Sequence, residues 1–146
     1  MNDPCPMTKY VIQLKKSDYE KILAHALNSL PNESCGLIAG NIDGAAKIIE
    51  RVYTLSNLDE SRQHFTIDPK EHLSAVKDMR ACGISPLGNF HSHPDTPARP
   101  SEEDIRLAHD PSASYMILSL AEPEPVLRSF HIERGSASPE ELSVVP

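Results

Sequence analysis

Two imidazoles one residue apart, His91 and His93, are the side chains best placed to do chemistry in this chain. In a strand, alternate side chains share a face, so both rings project the same way. Ser101 and Asp104 follow after a stretch stiffened by Pro94, Pro97 and Pro100. Two neutral imidazoles and a carboxylate make a three-ligand set suited to zinc, with a fourth position left for water. Taken alone, Ser101 and Asp104 are also a helix capping box, and the two readings compete for one hydroxyl. The positive end of the helix keeps Asp104 ionised in either case. A zinc hydrolase needs a base for the proton of its water. Glu33, Glu50, Glu60 and Glu71 are candidates by position, and Glu33 differs in directly preceding the apolar run 34–39. A carboxylate at the edge of a core strand is costly unless it lines a cleft.

The elements that must carry these groups can be read from periodicity. Residues 10–14 alternate as a strand. Ser17, with Glu20 three residues on, predicts a capped helix with an apolar face at Tyr19, Ile22, Leu23, Ala26, Leu27 and Leu30, stopped by Pro31. Residues 35–39 predict a buried strand, Asp43-Gly44 a hairpin turn, and 47–55 the returning strand. Residues 56–63 are polar, a connection or a flap over a cleft, and 64–67 a brief strand. Asp68-Pro69-Lys70-Glu71 predicts an N-cap, a proline at the first helical position and a capping-box acid, with the helix ending at Gly83. Residues 86–93 predict the histidine strand, Ser101 opens a short helix, and 115–120 and 126–132 are strands. This predicts an α/β sandwich on one mixed sheet. Residues 1–7 and 135–146 read as flexible termini.

The chain has 146 residues, the size of one domain, and a formal net charge of −7. An acidic surface argues against nucleic acid or an anionic membrane as partner. The three cysteines, Cys5, Cys35 and Cys82, form neither a disulfide framework nor a CxxC knuckle, which predicts a reducing, cytoplasmic setting. The first residues hold no apolar run of signal-peptide type, and no stretch is long enough to span a bilayer. Cys35 reads as a small buried residue, Arg99 as solvated or as a contact for a substrate carboxylate, and His64 as a surface group or a neighbour of the cleft.

Glu33 in Glu33-Ser34-Cys35-Gly36-Leu37, then His91-Ser92-His93-Pro94, then Ser101 and Asp104, resemble the signature of the JAMM (MPN-plus) metalloproteases. Phe65-Thr66-Ile67-Asp68-Pro69 extends the resemblance, which is greatest to short, stand-alone prokaryotic members. It implies a single JAMM/MPN domain over 8–134: a cytidine-deaminase-like sandwich with a mixed, mostly antiparallel sheet and about three helices. It implies one zinc per chain held by His91, His93 and Asp104, with Glu33 as general base and Ser101 as hydroxyl donor to the oxyanion. The implied substrate is a small ubiquitin-like or sulfur-carrier protein, cut at an amide bond after its C-terminal Gly-Gly. Little chain separates Glu33 from His91 or follows Asp104, which disfavours the insertions by which deubiquitinating members grip ubiquitin. A non-catalytic MPN-type binding module and a deubiquitinase-like isopeptidase are the alternatives. Zinc nucleoside deaminases pair H-x-E with a later P-C-x-x-C, and the chain carries no such pair.

Overall fold

A computed structural model describes residues 10–146, so the expectation for residues 1–7 lies outside the described residues. In chain order the elements are β1 (Val11–Lys15), α1 (Lys16–Ser29), β2 (Cys35–Asp43), β3 (Ala46–Leu55), α2 (Pro69–Cys82), β4 (Ser85–His93), α3 (Glu102–Leu107), β5 (Ser114–Ser119), β6 (Val126–Glu133) and β7 (Ser136–Val145). Among the described residues no helix is long and apolar enough to cross a membrane.

The class is α/β, with three helices and a mixed sheet, but the sheet is not one layer of a sandwich. It closes in the order β1-β3-β2-β4-β5-β6-β7, with β7 returning to β1 as a parallel neighbour. The parallel pairs are β1–β3, β1–β7 and β4–β5; the other pairings are antiparallel. Closure depends on residues 136–145, expected as a flexible tail and found instead as β7. Its sequence hides this because Pro139 and an acid interrupt the apolar pattern. The buried Glu140 carboxylate accepts a hydrogen bond from Ser129 Oγ at 2.8 Å, so the acid that looks solvent-facing is satisfied inside.

The sheet wraps around α1. Ile22 and Ala26, one helical turn apart, pack with Ile12, Leu14, Ile38, Phe90, Met116 and Leu118. The expected capping box at Ser17 does not form: α1 starts at Lys16 directly from β1, and Lys15 makes no side-chain cap. Gly36 is required here, since a Cβ would lie 2.1 Å from the Tyr53 carbonyl and 2.3 Å from the Phe90 ring.

On the outer face, α2 covers β2 and β3 through Ala75 and Met79, which pack with Cys35, Leu37, Ala39 and Leu55. Its predicted caps are present. Asp68 accepts from Lys70 N, and Gly83 ends the helix at φ +70°. Glu71 does not close a box; its carboxylate holds the backbone N–H and hydroxyl of Ser56 at 2.7 and 2.8 Å. The strand expected at 64–67 is reduced to a single bridge between Asn57 and Ile67.

Lys47, unremarked in the sequence, is fully buried. Its ammonium donates to Ser112 O, Ser114 Oγ and Leu87 O at 2.7, 2.9 and 3.3 Å. Burial lowers its pKa, and these acceptors take the place of an ion-pair partner.

Candidate active site

The histidines stand at the end of β4, beside the end of its parallel neighbour β5. A βαβ connection through α3 returns the chain across that end, where open sheets with such crossovers place their ligands. Phe90 and Ser92 point into the protein, so His91 and His93 share the outer face. The proline-stiffened loop then brings the start of α3 back over them.

Three atoms converge. His91 Nε2, His93 Nε2 and Asp104 Oδ2 lie 3.2 Å from one another, and both histidines are buried. A tetrahedron with arms of about 2.0–2.1 Å has edges of roughly 3.3 Å, so the triangle has the size of one face of a zinc coordination sphere. The donor chemistry agrees. His93 Nδ1 donates to the Pro97 carbonyl at 2.9 Å, which leaves the Nε2 lone pair facing Asp104. Three electron-rich atoms this close in a buried place repel one another unless a proton or a cation lies among them. Without a cation, protons on the facing imidazole nitrogens fill that place: burial works against charge on Asp104, yet hydrogen bonds from His91 and His93 then outweigh it and hold the carboxyl well below its usual range. Burial also works against charge on His93, and here the Asp104 hydrogen bond leads the opposing effects, raising its pKa. The His91 ring stacks on Phe65 with centroids 4.8 Å apart, and its buried Nδ1 has no partner within the described residues.

Ser101 forms the predicted cap. Its Oγ accepts from Asp104 N at 3.0 Å, while Asp104 Oδ2 accepts from Ser101 N at 2.9 Å, completing the capping box. A hydroxyl has one proton and two lone pairs. Capping uses a lone pair, so the proton remains free to be donated to a substrate oxygen.

Glu33 comes to this site from a distant part of the sequence. Cys35 pairs with His91 in antiparallel register, which puts Glu33, two residues earlier, level with His93. Ser92 ties the two segments together: its Oγ accepts from Ser34 N at 2.8 Å and Ser34 Oγ at 3.0 Å, and its N–H donates to Ser34 O. Ser92→Ala should therefore cost about 1–3 kcal/mol by orphaning a buried N–H. Chemical denaturation would measure this, and metal content should be unchanged.

The Glu33 carboxyl is buried, and its Oε1 has no partner. Burial pushes its pKa up to about 8, His93 works against this, and Asp104 and Glu103 add to it. A divalent cation at the triangle would bring it down towards working pH. Without metal, the raised value has a definite consequence for stability. Glu33 binds a proton more tightly folded than unfolded, so its contribution is present below pH 4.5 and is lost as pH rises to about 8. In chelator, Glu33→Gln should remove that loss. Its unfolding free energy, from urea titrations, should exceed the wild type's increasingly from pH 5 to pH 8.5, by on the order of a few kcal/mol.

The other candidate acids lie elsewhere. Glu50 pairs with Lys15, Glu60 is exposed, and Glu71 holds Ser56. Burial pushes the Cys35 thiol up to about 12, which fits a small core residue and not a nucleophile. Arg99 is exposed.

Residues 56–67 form one wall of the cleft. Asn57, not singled out by its type or neighbours, is the hub of that wall. Its amide donates to the carbonyls of Glu33 at 3.1 Å and His64 at 2.8 Å, and its oxygen accepts from the N–H groups of Asp59 and Thr66. Glu33 N donates to Ser61 O, and His64 pairs across the cleft with Glu103. The cleft, about 250 Å³, includes Phe65, His91, Asp104, Leu107 and Ile117 in its lining.

Residues 15–133 match the family described as prokaryotic homologs of the JAB domain. A CysO-cysteine peptidase of Mycobacterium tuberculosis is 32% identical over 139 residues, covering 94% of each chain. A desampylase of Haloferax volcanii is 31% identical over 118 residues, covering 77% of this chain and 84% of its own. A solution structure of a Desulfitobacterium hafniense protein superposes with a TM-score of 0.84 at 57% identity, covering 91% of this chain and 92% of that one.

Proposed function

The chain belongs to the prokaryotic homologs of the JAB domain, and from that membership we propose that it is a zinc-dependent peptidase or isopeptidase. Its substrate is a small ubiquitin-like or sulfur-carrier protein, cut at the amide bond after the C-terminal Gly-Gly. The observation that carries the reading is the equilateral His91–His93–Asp104 triangle beside a buried, unpartnered Glu33 carboxylate. The similarity to a peptidase and a desampylase supports the substrate class.

His91, His93 and Asp104 would hold one zinc. When bound, it supplies Lewis acidity, polarising a carbonyl and lowering the pKa of a water in its open position to about 7. Glu33 then takes a proton at its carboxylate and later delivers it to the leaving amine, a task helped by a raised carboxyl pKa. Ser101 donates its free hydroxyl proton to the oxyanion that develops on the substrate carbonyl. Asn57 and Ser92 position Glu33 through backbone contacts on either side of it. The two free thiols among the described residues, Cys35 and Cys82, are consistent with a reducing, cytoplasmic location.

The test is a carrier protein extended past Gly-Gly by a cysteine or a short tail, followed by mass spectrometry, with zinc measured in the same preparation. About one zinc per chain and a product ending at the second glycine are expected. An intact tail with full zinc occupancy would favour the binding-module alternative.

A further inference from the structure

The His93 ring takes its direction from a loop that carries no ligand. Its Nδ1 donates to the Pro97 carbonyl at 2.9 Å, and Arg99 N donates to the same oxygen at 2.9 Å. Residues 94–100 hold no regular secondary structure, and Asp95, Thr96 and Pro97 are exposed. A carbonyl on such a loop can turn away unless the chain before it is fixed. Ser119, the last residue of β5, fixes it. It pairs with His93 in the parallel β4–β5 register, so the two side chains stand on one face. Ser119 is fully buried, and its hydroxyl donates to the Thr96 carbonyl at 2.6 Å while accepting from Ala121 N at 3.1 Å. The next residue, Leu120, donates its N–H to the His93 carbonyl at 3.0 Å, so the end of β5 also holds the backbone of His93.

The path from this hydroxyl to the histidine ring is short and stiff. The Thr96 carbonyl and the Pro97 nitrogen belong to one planar peptide unit, so holding that oxygen holds the plane. The Pro97 ring then locks the next dihedral, φ, at about −65°. A single soft rotation, ψ of Pro97, is left between the Thr96–Pro97 plane and the oxygen that faces His93 Nδ1. Ala98, buried against Ile117, Phe130 and Ile132, restrains that rotation from the other side.

We propose that Ser119 is a positioning residue for His93. By pinning the Thr96–Pro97 peptide it aims the Pro97 carbonyl, which holds the imidazole with Nδ1 protonated and Nε2 turned to Asp104 and the metal position. Partners outside the ligand set change metal affinity by about 10–100-fold when they are lost, because they set the tautomer and direction of a ligating ring. The consequence for zinc rests on the peptidase reading, and the orientation of the ring does not.

The experiment compares Ser119→Ala with Ser92→Ala, which removes a buried serine hydroxyl on the Glu33 side of the site. Zinc affinity is read by competition with a chromophoric chelator. The ring is read by the proton NMR signal of His93 Nδ1–H and its solvent exchange, in zinc-loaded and in metal-free protein. Ser119→Ala is expected to weaken zinc binding about tenfold and to speed exchange of that proton. Ser92→Ala should do neither, although both variants melt earlier than wild type. Pro97→Gly keeps the carbonyl and frees φ, so it should lose zinc affinity in the same way. Ser119→Ala added to Pro97→Gly should then cost little more, because both act through one peptide unit. Unchanged affinity and exchange in Ser119→Ala overturn the proposal, as does full additivity of the two changes. So does an equal loss of zinc from Ser119→Ala and Ser92→Ala, which would make the hydroxyl a matter of stability alone and leave the peptidase reading standing. If Ser119→Ala does not fold, Pro97→Gly in its exposed loop decides: faster exchange supports the proposal, and unchanged exchange overturns it. If wild-type protein binds no zinc, the peptidase reading fails, and exchange in metal-free protein still decides the role of Ser119.

Discussion

Glu33→Gln protein keeps its zinc and loses at least about 10²–10⁴-fold in cleavage rate, the range that a positioned general base contributes. Glutamine has nearly the shape of glutamate and can neither take nor return the proton. Glu33 is not among the converging ligand atoms, so metal content should match the wild type's. Its backbone is held by Ser61 and Asn57, and neither contact involves the side chain, so the segment should stay in place. The measurement is a single-turnover cleavage assay with zinc quantified on the same sample. Wild-type cleavage by the variant would move the base to another group. Loss of zinc would instead make Glu33 part of the metal's surroundings.

Asp104→Asn separates two uses of one side chain. Asp104 Oδ2 faces both imidazoles and also accepts from Ser101 N. An asparagine oxygen can still accept that backbone hydrogen bond, so the capping of α3 should change by no more than about 1 kcal/mol. What disappears is the negative charge, and a divalent ion then faces two imidazoles and a weak amide oxygen. Zinc affinity should fall by at least about 10²-fold, by analogy with the cost of disturbing zinc's surrounding partners, and cleavage at limiting zinc should fall with it. Competition with a chromophoric chelator reads the affinity, and circular dichroism reads the helix. A variant that melts early in chelator would mean that the cap, not the ligand, dominates.

The local elements were legible where a residue's own chemistry dictates them. Asp68-Pro69 and Gly83 bound α2 because an N-cap, a fixed φ and a left-handed C-cap are properties of those residue types. The Ser101–Asp104 box is likewise local, and it formed. The Ser17 box looked the same in sequence and did not form, because β1 runs straight into α1 and leaves no free turn to cap. β7 was illegible because its pairing comes from β6 and β1, strands distant from each other in sequence. Closing the barrel satisfies backbone groups that no local pattern of apolar residues announces.

Residue order alone sets the chemical inventory: two same-face imidazoles, a hydroxyl and a carboxylate at a helix start, and a short list of acids. These follow from strand alternation and capping, which act over a few residues. Which of those acids lies beside them follows from long-range packing. The antiparallel register of β2 on β4 sets Glu33 level with His93, and the Ser34–Ser92 hydrogen bonds hold it there. The same packing buries Glu33 without a partner, giving its carboxyl a raised pKa, which the sequence cannot encode locally. Structure also showed that the Ser101 hydroxyl caps α3 with a lone pair, which leaves its proton uncommitted. Each of these depends on which distant segments share a boundary, since burial and register are properties of the packed chain.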